Sequence, residues 1–469
     1  MRTHFIGREK ELKSLEDAYK KGSFQMCVLY GRRRVGKTTL LNEFIKGKDH
    51  IFFTAIQGSL DRNMELLGQC IIDHFYPGAQ GLSFTGFQAI LDTITQNIKD
   101  EKLVIVFDEL PYLSQADESI LSILQRQIDT YWLKKNIFLI LSGSSISFML
   151  DEVLSDKSPI YGRRTMQIDL KPFDYLDTAK FVPHYSAEEK AISYGVTGGI
   201  AKYISLFDPD KSLDENIADL YFRPSGFLYE EPHNLLVQEF RNSPVYGDVI
   251  SAIAGGANKA VEIKDKTGLE SASVHNILSH LMETRIIEKR LCITEEGNKK
   301  KVQYILSDGM FTFWYLFIPK AIPQIEIDNG EKYYRTYVKP KLHEFMGSIF
   351  EGMCRYFLLK NAFTSTLPCN ITEVGKWFGK DPRKKEETDI DVVGLDKETR
   401  QAVIGECKFT NSEVDKTIFD DLVAQNNLLD KKYTVISYFL FSLSGFSSWL
   451  VENAAAKGAM LVAIEDLYR

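Results

Sequence analysis

Glycines, a lysine and a threonine near the start of the chain have the spacing of a phosphate-binding loop. In "GRRRVGKTT", residues 31–39, Gly31, Gly36, Lys37 and Thr38 satisfy the pattern G-x-x-x-x-G-K-[ST]. The glycines allow backbone amides to turn inward around a β-phosphate, the lysine reaches the β and γ oxygens, and the threonine hydroxyl can bind Mg²⁺. The pattern predicts a site for ATP and Mg²⁺. The alternative is a glycine-rich turn between a strand and a helix.

Two acidic residues, Asp108 and Glu109, end the apolar run "LVIVFDEL". Ligands bind at the carboxyl ends of the strands in α/β sheets. We therefore expect Asp108 to hold Mg²⁺ or orient its water, and Glu109 to polarise the attacking water. Helix capping is the alternative role. "HIFFTA", which lies between the two motifs in the sequence, is a candidate extra strand and indicates P-loop ATPases with a catalytic glutamate.

Three further polar residues follow two later strands. "IFLILSGSS" ends at Ser144, which can sense a γ-phosphate or cap the next helix. Arg163 and Arg164 precede the strand in "YGRRTMQIDL", and we expect one of them to reach the nucleotide of a neighbouring subunit as an arginine finger. Solvated surface arginines are the alternative. The predicted nucleotide-binding residues are Gly31, Arg32, Arg33, Arg34, Val35, Gly36, Lys37, Thr38, Thr39, Asp108 and Ser144.

The order of the motifs resembles that of a known family. "FIGREKELKSL", "GRRRVGKTT", "VFDELPYL", "LSGSS", "YGRR" and "VTGGIAKYI" occur in this order. Together they resemble the archaeal-type ATPases, a branch of the AAA+ and STAND-like P-loop ATPases that is also found in bacteria. The resemblance spans nearly the whole chain. It implies a helical lid after the ATPase core, a winged helix, and often a C-terminal nuclease-like domain. Ala201 departs from the pattern because relatives commonly have proline there, so nucleotide contacts of the lid are not carried over.

Charged residues share one face of two apolar runs near the C-terminus. "ETDIDVVGLD" and "QAVIGECKF" are separated by the turn-like "KETR". If residues 397–400 form the loop of a hairpin, Asp391 opposes Glu406 and Asp389 opposes Lys408. Directly opposed side chains lie on one face with Cβ atoms about 5 Å apart. The two carboxylates of the first pair would therefore repel each other, by about 4 kcal/mol at 4 Å and an effective dielectric of 20.

A divalent cation offsets this repulsion better than a lysine, and carboxylate, carbonyl and water oxygens suit Mg²⁺. An aspartate followed by Glu-x-Lys at this separation resembles the PD-(D/E)XK nucleases. By this resemblance Asp391 and Glu406 bind the metal and Lys408 orients or activates water. Glu351, in "GSIFEGMCRYFLL", matches the upstream acid of those nucleases, and Gln425 is a further candidate. The alternative is a solvent-exposed hairpin with a metal-free ion pair between Asp389 and Lys408.

The middle of the chain has the pattern of a winged helix-turn-helix, with three helical runs followed by a hairpin with a polar tip. Residues 259–303 carry nine Lys or Arg and seven Asp or Glu, which is less basic than most tight DNA modules. DNA reading and protein interaction both remain open. The candidate recognition helix, residues 271–284, would offer Ser273, His275, Asn276 and Ser279 to a groove. The basic tip, which can touch phosphate, comprises Lys299, Lys300 and Lys301.

The whole chain has the composition of a soluble globular protein. At 469 residues it is too long for one ordinary core, and its formal net charge of -7 draws it to neither nucleic acid nor anionic lipid. Six scattered cysteines without a C-x-x-C pair favour a reducing cytoplasm. The N-terminus lacks the apolar core of a signal peptide. The uncharged residues 433–451 are expected to form a strand, a turn and a helix rather than a membrane span.

The predicted fold is an α/β multidomain chain with a P-loop core of the ASCE class and a restriction-endonuclease-like C-terminal domain. The predicted segments are residues 1–171, ATPase core; 172–233, helical lid and connection; 234–310, winged helix-turn-helix; 311–339, linker; and 340–469, nuclease-like domain. The aromatics of "SDGMFTFWYLFI" are expected to form an interdomain core rather than a base-stacking platform.

We expect an ATPase that uses Mg²⁺ and is coupled to a metal-dependent nuclease acting on nucleic acid. DNA is the favoured partner, with a homo-oligomeric assembly and a role in defence or mobile-element control. The alternative is a STAND-like signalling switch or transcription regulator whose C-terminal domain binds but does not cleave.

Overall fold

The computed structural model describes residues 5–240, 242–294, 301–381, 385–429 and 433–469. The chain divides into two compact units. The first consists of Met1–Phe173 with Ile200–Lys202, and the second of Asp174–Gly199 with Tyr203–Arg469.

Helices and parallel strands alternate in the first unit. They are α1 (Glu9–Tyr19), β1 (Gln25–Tyr30), α2 (Lys37–Phe44), β2 (His50–Thr54), α3 (Leu60–Phe75), α4 (Phe87–Asn97), β3 (Leu103–Asp108), α5 (Leu110–Ala116), α6 (Ile120–Thr130), β4 (Ile137–Gly143), α7 (Ile146–Phe148) and β5 (Met166–Asp169).

The five strands form one parallel sheet in the order β2-β3-β4-β1-β5. Every residue of β1, β3 and β4 is buried, which explains their nearly continuous apolar sequences, since helices cover both faces of such a sheet. The expected extra strand is confirmed as β2, at the edge beside β3. In space, β4 separates β1 from β3, so the loop after β1 and the acids after β3 lie at the same edge on either side of β4.

The rest of the chain begins with helices and ends with a second sheet. The elements are α8 (Tyr175–Ala179), α9 (Ala187–Thr197), α10 (Ala201–Ile204), α11 (Leu213–Tyr221), α12 (Glu231–Glu239), α13 (Ser243–Ala254), α14 (Ala260–Thr267), α15 (Ser271–Glu283), β6 (Ile287–Leu291), β7 (Val302–Leu306), α16 (Gly309–Glu326), α17 (Gly330–Tyr333), α18 (Leu342–Lys360), β8 (Glu373–Lys380), β9 (Glu387–Asp396), β10 (Gln401–Lys408), α19 (Lys416–Ala424), β11 (Thr434–Ser442), α20 (Ser448–Asn453) and β12 (Ala459–Ala463).

The three middle helices α13, α14 and α15 precede the antiparallel pair β6 and β7, in the order that the sequence predicts. Of the predicted basic tip, Lys299 and Lys300 lie outside the described residues.

The aromatic segment after this hairpin is part of helix α16. Phe313 is fully buried, and its ring lies 4.7 Å from that of Tyr221 and 5.4 Å from that of Phe345, centroid to centroid. These partners come from the predicted lid and the predicted C-terminal domain. The aromatic segment therefore forms a buried core, as expected, and its interdomain character stays a prediction.

The C-terminal sheet has the order β12-β11-β10-β9-β8, with an antiparallel meander β8-β9-β10 and parallel pairing from β10 to β12. The predicted hairpin register is confirmed for five pairs, from Gln401 opposite Asp396 to Gly405 opposite Val392. Residues 433–451 form β11, a turn and the start of α20, as expected. Within the described part of the chain, no helix combines the length and apolar character that crossing a membrane requires.

Candidate nucleotide site and carboxylate cluster

The loop between β1 and α2 has a backbone path that requires glycine at two positions. A Cβ built on Gly31 would lie 2.4 Å from the carbonyl oxygen of Leu170, which is shorter than any tolerated contact. Gly36 has a φ of 98°, a conformation that side chains disfavour, and a Cβ there would lie 3.5 Å from that of Ala201. The backbone N–H of Lys202 donates to Arg34 O at 3.2 Å, so the first residues of α10 contact the loop.

Lys37 is the first residue of α2 and is 5% exposed. Its Nζ donates to the carbonyl oxygens of Gly31 (2.9 Å) and Arg32 (3.2 Å), so the ammonium lies inside the loop. The other predicted loop residues differ in exposure: Arg32 and Val35 are buried, Arg33 and Arg34 are partly buried, and Thr38 and Thr39 are exposed. Arg33 donates to the Tyr112 hydroxyl at 2.8 Å, a contact that the sequence did not predict.

Thr38 and Asp108 connect the loop to the end of β3. The Thr38 hydroxyl donates to Asp108 Oδ2 at 2.9 Å. Asp108 is 1% exposed, and its Oδ1 has no hydrogen-bond partner among the described residues. The Thr38 hydroxyl and the Asp108 carboxylate, whose Oδ1 has no partner, are oxygen ligands of the kind that Mg²⁺ binds. The predicted ligands of the nucleotide-bound cation are thus together.

Glu109 and Ser144 meet across the neighbouring ends of β3 and β4. Glu109 Oε2 accepts hydrogen bonds from the Ser144 hydroxyl (2.7 Å) and from its backbone N–H (3.1 Å). Neither side chain caps a helix. Glu109 occupies the N-cap position of α5 without a side-chain capping bond, and the N-cap of α7 is Ser145.

The two arginines before β5 have partners within the first unit. Arg163 makes a two-pronged contact with Asp129 on α6, with distances of 3.0 Å from Nε to Oδ1 and 2.8 Å from Nη2 to Oδ2. This hydrogen bonding lowers the pKa of Asp129. Arg164 donates to the Gln167 side chain at 2.5 Å. The arginine-finger role of either residue stays a prediction.

The C-terminal charges form a cluster around a lysine that the sequence analysis missed. We call Glu351, Lys376, Asp389 and Asp391 the carboxylate cluster. Lys376 Nζ lies 2.6 Å from an oxygen of Asp389, 2.9 Å from Glu351 and 3.1 Å from Asp391. The alternative of a metal-free ion pair between Asp389 and Lys408 is wrong, because Asp389 pairs with Lys376 and Lys408 pairs with Glu406. Nothing in the sequence near Lys376 indicates these partners, which come from one helix and a neighbouring strand.

An irregularity in the sheet positions Asp391. In β8 and β9, Gly375 pairs with Val393 and Trp377 pairs with Ile390. Between these two pairs, β9 has two residues, Asp391 and Val392, where β8 has only Lys376. Such bulges re-aim side chains and end regular pairing. The ladder between β9 and β10 accordingly stops before the predicted pair of Asp391 with Glu406, and Asp391 Oδ2 instead accepts from the backbone N–H of Cys407 at 3.1 Å.

Arg355 adds a second cation to this cluster. Its Nη1 lies 3.2 Å from Glu351 Oε2 and donates to the carbonyl oxygen of Asp391 at 2.8 Å. The sequence carries a signal for this contact, because Arg355 follows Glu351 by one helical turn on α18.

Burial and like charge oppose ionisation of Asp391. Burial, then the carboxylates of Glu351 and Glu406, raise the pKa of Asp391 to about 7, although Lys376 acts in the opposite direction. For Lys376, burial lowers the pKa, but Glu351, Asp391 and Asp389 outweigh it and the pKa is raised. The ammonium therefore remains charged and serves as the counter-ion of the cluster.

Glu406 and Lys408 pair with each other rather than with Lys376, although both interact electrostatically with Asp391. Their side chains form an ion pair at 2.5 Å and line a cleft of about 350 Å³, together with Asp381, Asp421 and Gln425. Gln425, the further candidate, donates to the carbonyl oxygen of Asp389 at 3.2 Å.

The predicted Mg²⁺ ligands Asp391 and Glu406 therefore contact different lysines. In the described ranges, no group of three or more His, Cys, Asp or Glu side chains is arranged to hold a metal ion. As placed, the predicted C-terminal metal ligands do not fit a divalent cation, because the oxygens that would bind it face Lys376 and Lys408.

Two family models match separate parts of the chain. A model of an ATPase domain found predominantly in Archaea matches residues 5–207. A model of archaeal and bacterial proteins of unknown function matches residues 314–418.

Two relatives come from Methanocaldococcus jannaschii. The uncharacterized protein MJECL04 is 30% identical over 444 residues, which cover 92% of this chain and 95% of that protein. The uncharacterized ATP-binding protein MJ0423 is 43% identical over 44 residues, or 9% of this chain and 75% of that protein.

Among solved structures, the Walker-type ATPase PABY2304 of Pyrococcus abyssi is similar over 67% of this chain and 97% of its own, with a TM-score of 0.52 and 20% identity. This similarity shows a shared fold. The α/β core with its parallel sheet is that of a P-loop ATPase.

Proposed function

Because this chain belongs to the family of the archaeal protein MJECL04 and carries an ATPase domain over residues 5–207, we propose that it binds and hydrolyses ATP. The observation that carries the proposal is the hydrogen bond between Thr38 of the loop and Asp108 of β3. It brings together the two halves of a nucleotide site that are far apart in the sequence.

Each side chain of this site has a distinct role in the proposal. Lys37 binds the phosphates in the ground state, since its ammonium lies among the loop carbonyls. Glu109 accepts a proton from the attacking water or orients it, and Ser144 holds the carboxylate for that task. Thr38 and Asp108 would hold Mg²⁺, which when bound neutralises charge on the phosphate oxygens. Arg163 or Arg164 supplies a cation to the site of a neighbouring subunit in a homo-oligomer.

A Lys37→Ala variant tests the proposal. Because Lys37 contacts phosphate in the ground state, we expect it to lose ATP binding and ATP hydrolysis together, with fluorescent-nucleotide binding and phosphate release as the readouts. The matched control is Lys46→Ala, which removes an exposed lysine just beyond α2 and should leave both activities unchanged. ATP hydrolysis that persists in Lys37→Ala would exclude this loop as the nucleotide site.

A second candidate function concerns the C-terminal domain, residues 340–469, for which we propose a PD-(D/E)XK nuclease-like fold that acts on nucleic acid, with DNA favoured. The observation in its favour is the cleft that Glu406 and Lys408 line. The meander β8-β9-β10, flanked by α18 and α19, supports the fold because it brings Asp391, Glu406 and Lys408 to adjoining strands.

We also propose that helices α13 to α15 with β6 and β7 form a winged helix-turn-helix that contacts nucleic acid or protein. The order of these elements supports this assignment. The predicted domain boundaries and the cytoplasmic location remain part of the proposal. All six cysteines are free thiols, which supports the proposed reducing location.

Cleavage assays test the second function. Purified protein is incubated with ATP, a divalent cation and assorted DNA and RNA. We expect cleavage that Asp391→Ala and Lys408→Ala abolish, whereas ATP hydrolysis survives because its residues belong to the first unit. Lys416→Ala, an exposed lysine on α19, is the control. Cleavage that persists in both variants would assign it to a contaminant, and absence of cleavage by wild type would favour the binding-only alternative.

A further inference from the structure

An ammonium group lies among three carboxylates, one of which is Asp391, a predicted metal ligand. Lys376 Nζ lies within 3.1 Å of carboxylate oxygens of Glu351, Asp389 and Asp391, and its side chain is 11% exposed. Divalent ions such as Mg²⁺ bind carboxylates at about 2.0–2.1 Å. An ammonium and a metal ion cannot occupy the same space between these oxygens. Lys376 must therefore move away before Glu351 and Asp391 can bind a divalent cation.

The backbone of Lys376 is held by the segment that follows β6. The N–H of Ile293 donates to the carbonyl oxygen of Lys376 at 3.1 Å, across the outer edge of β8. Ile293 is 5% exposed and packs in the same core as Trp377. A Cβ built on Gly375 would lie 3.1 Å from the Ile293 side chain, so the two segments are in close contact.

A side chain of β6 also lies near the carboxylate cluster. Arg290 is 16% exposed, pairs with Glu288 at 3.2 Å and interacts electrostatically with Glu351 and Arg355. The hairpin β6–β7, which belongs to the predicted winged helix-turn-helix, thus contributes a backbone bond to Lys376 and a charge near Glu351. Movement of this hairpin would change both.

We propose that Lys376 is an internal counter-ion, held in place by the β6–β7 hairpin, that excludes divalent cations from Glu351 and Asp391. This inference rests on the proposed nuclease-like function and adds a positioning residue to it. With Lys376 docked, its ammonium fills the space between the three carboxylates, so a metal ion cannot enter.

Manganese binding to the full chain tests this proposal without nucleic acid or ATP. The signal of free Mn²⁺ in electron paramagnetic resonance reports the bound fraction, and Asp108→Asn is present in every sample so that the nucleotide site does not contribute. Lys376→Gln should bind Mn²⁺ at least on the order of tenfold more tightly than the parent, because the competing positive charge is gone. Lys380→Gln, an exposed position on the same strand, is the matched control and should leave the affinity unchanged.

A second variant covers the case in which Lys376→Gln fails to fold. This is the double variant Lys376→Gln with Asp389→Asn, which removes the ammonium together with one carboxylate and keeps Glu351 and Asp391. Asp389 is the carboxylate to remove because it is 53% exposed. The double variant should bind Mn²⁺ more tightly than Asp389→Asn alone, and addition of Asp391→Asn should abolish the gain. Equal affinity of the two variants, or a gain that survives Asp391→Asn, would overturn the proposal. Absence of nuclease activity would not affect this readout, so failure of the proposed function and failure of this inference are distinguishable.

Discussion

Glu109 has backbone angles of φ 54° and ψ 43°, in the left-handed region that few residues other than glycine adopt. Such a conformation costs on the order of 1–3 kcal/mol and is found at functional sites where the surroundings hold it. Here the turn out of β3 directs the carboxylate toward Ser144. The sequence predicted both residues as members of the site, but their contact depends on the adjacency of β3 and β4, which no local pattern contains.

Replacement of Ser144 by alanine should separate ATP binding from hydrolysis. The variant loses a hydroxyl bond to a charged group, worth about 1.5–3 kcal/mol, and so leaves Glu109 less well oriented. We expect kcat for ATP to fall by roughly tenfold or more with little change in ATP affinity. Steady-state phosphate release gives kcat, and a nucleotide-binding assay gives the ATP affinity.

Ser145→Ala is the control for this variant, because the adjacent serine makes no side-chain capping bond. An unchanged kcat in Ser144→Ala would show that the bond to Glu109 has no part in hydrolysis.

At the scale of elements, α6 is tied to the segment before β5 by Asp129 and Arg163. The two side chains are 39% and 28% exposed, so solvent screens the pair and its contribution is at most about 1 kcal/mol. Arg163 lowers the pKa of Asp129 in the folded state. The stabilisation is therefore fully present above the unfolded pKa of about 4 and is lost as the pH falls through the lower folded value.

A double-mutant cycle of Asp129→Asn and Arg163→Gln measures this contribution. At pH 7 we expect a coupling free energy of unfolding of up to about 1 kcal/mol, and it should decline toward zero below pH 4. Urea unfolding of the four proteins across this pH range gives the values. A coupling that stays constant down to pH 3 would show that ionisation of Asp129 is not its cause.

The elements that the sequence predicted best are those with a local physical signal. Buried strands such as β1 and β3 are nearly continuous apolar runs, and the composition of the turn between β9 and β10 fixed the register of that hairpin. The sequence could not predict that Lys376 pairs with the carboxylates of the cluster. Lys376 is one lysine in a strand, and its partners depend on the bulge at Asp391 and on the packing of α18 against the sheet.

At the scale of the whole molecule, the residues proposed for ATP hydrolysis lie in one unit, and those proposed for the C-terminal function lie in the other. Lys37, Asp108, Glu109 and Ser144 are in the first unit, and the carboxylate cluster and the cleft are in the second. Variants in one set should therefore leave the structure of the other intact. This separation was expected from the sequence distance between the motifs.

The most direct test of the ATPase assignment is to measure ATP binding and phosphate release on one preparation of Glu109→Gln. We expect affinity for ATP near that of wild type, because Lys37 and the loop are intact. Hydrolysis should be slower by a factor of about 10² to 10⁴, the usual contribution of a positioned acid or base. Hydrolysis by Glu109→Gln at the wild-type rate, with equal ATP binding, would contradict the role of Glu109 and the account of the site built around it.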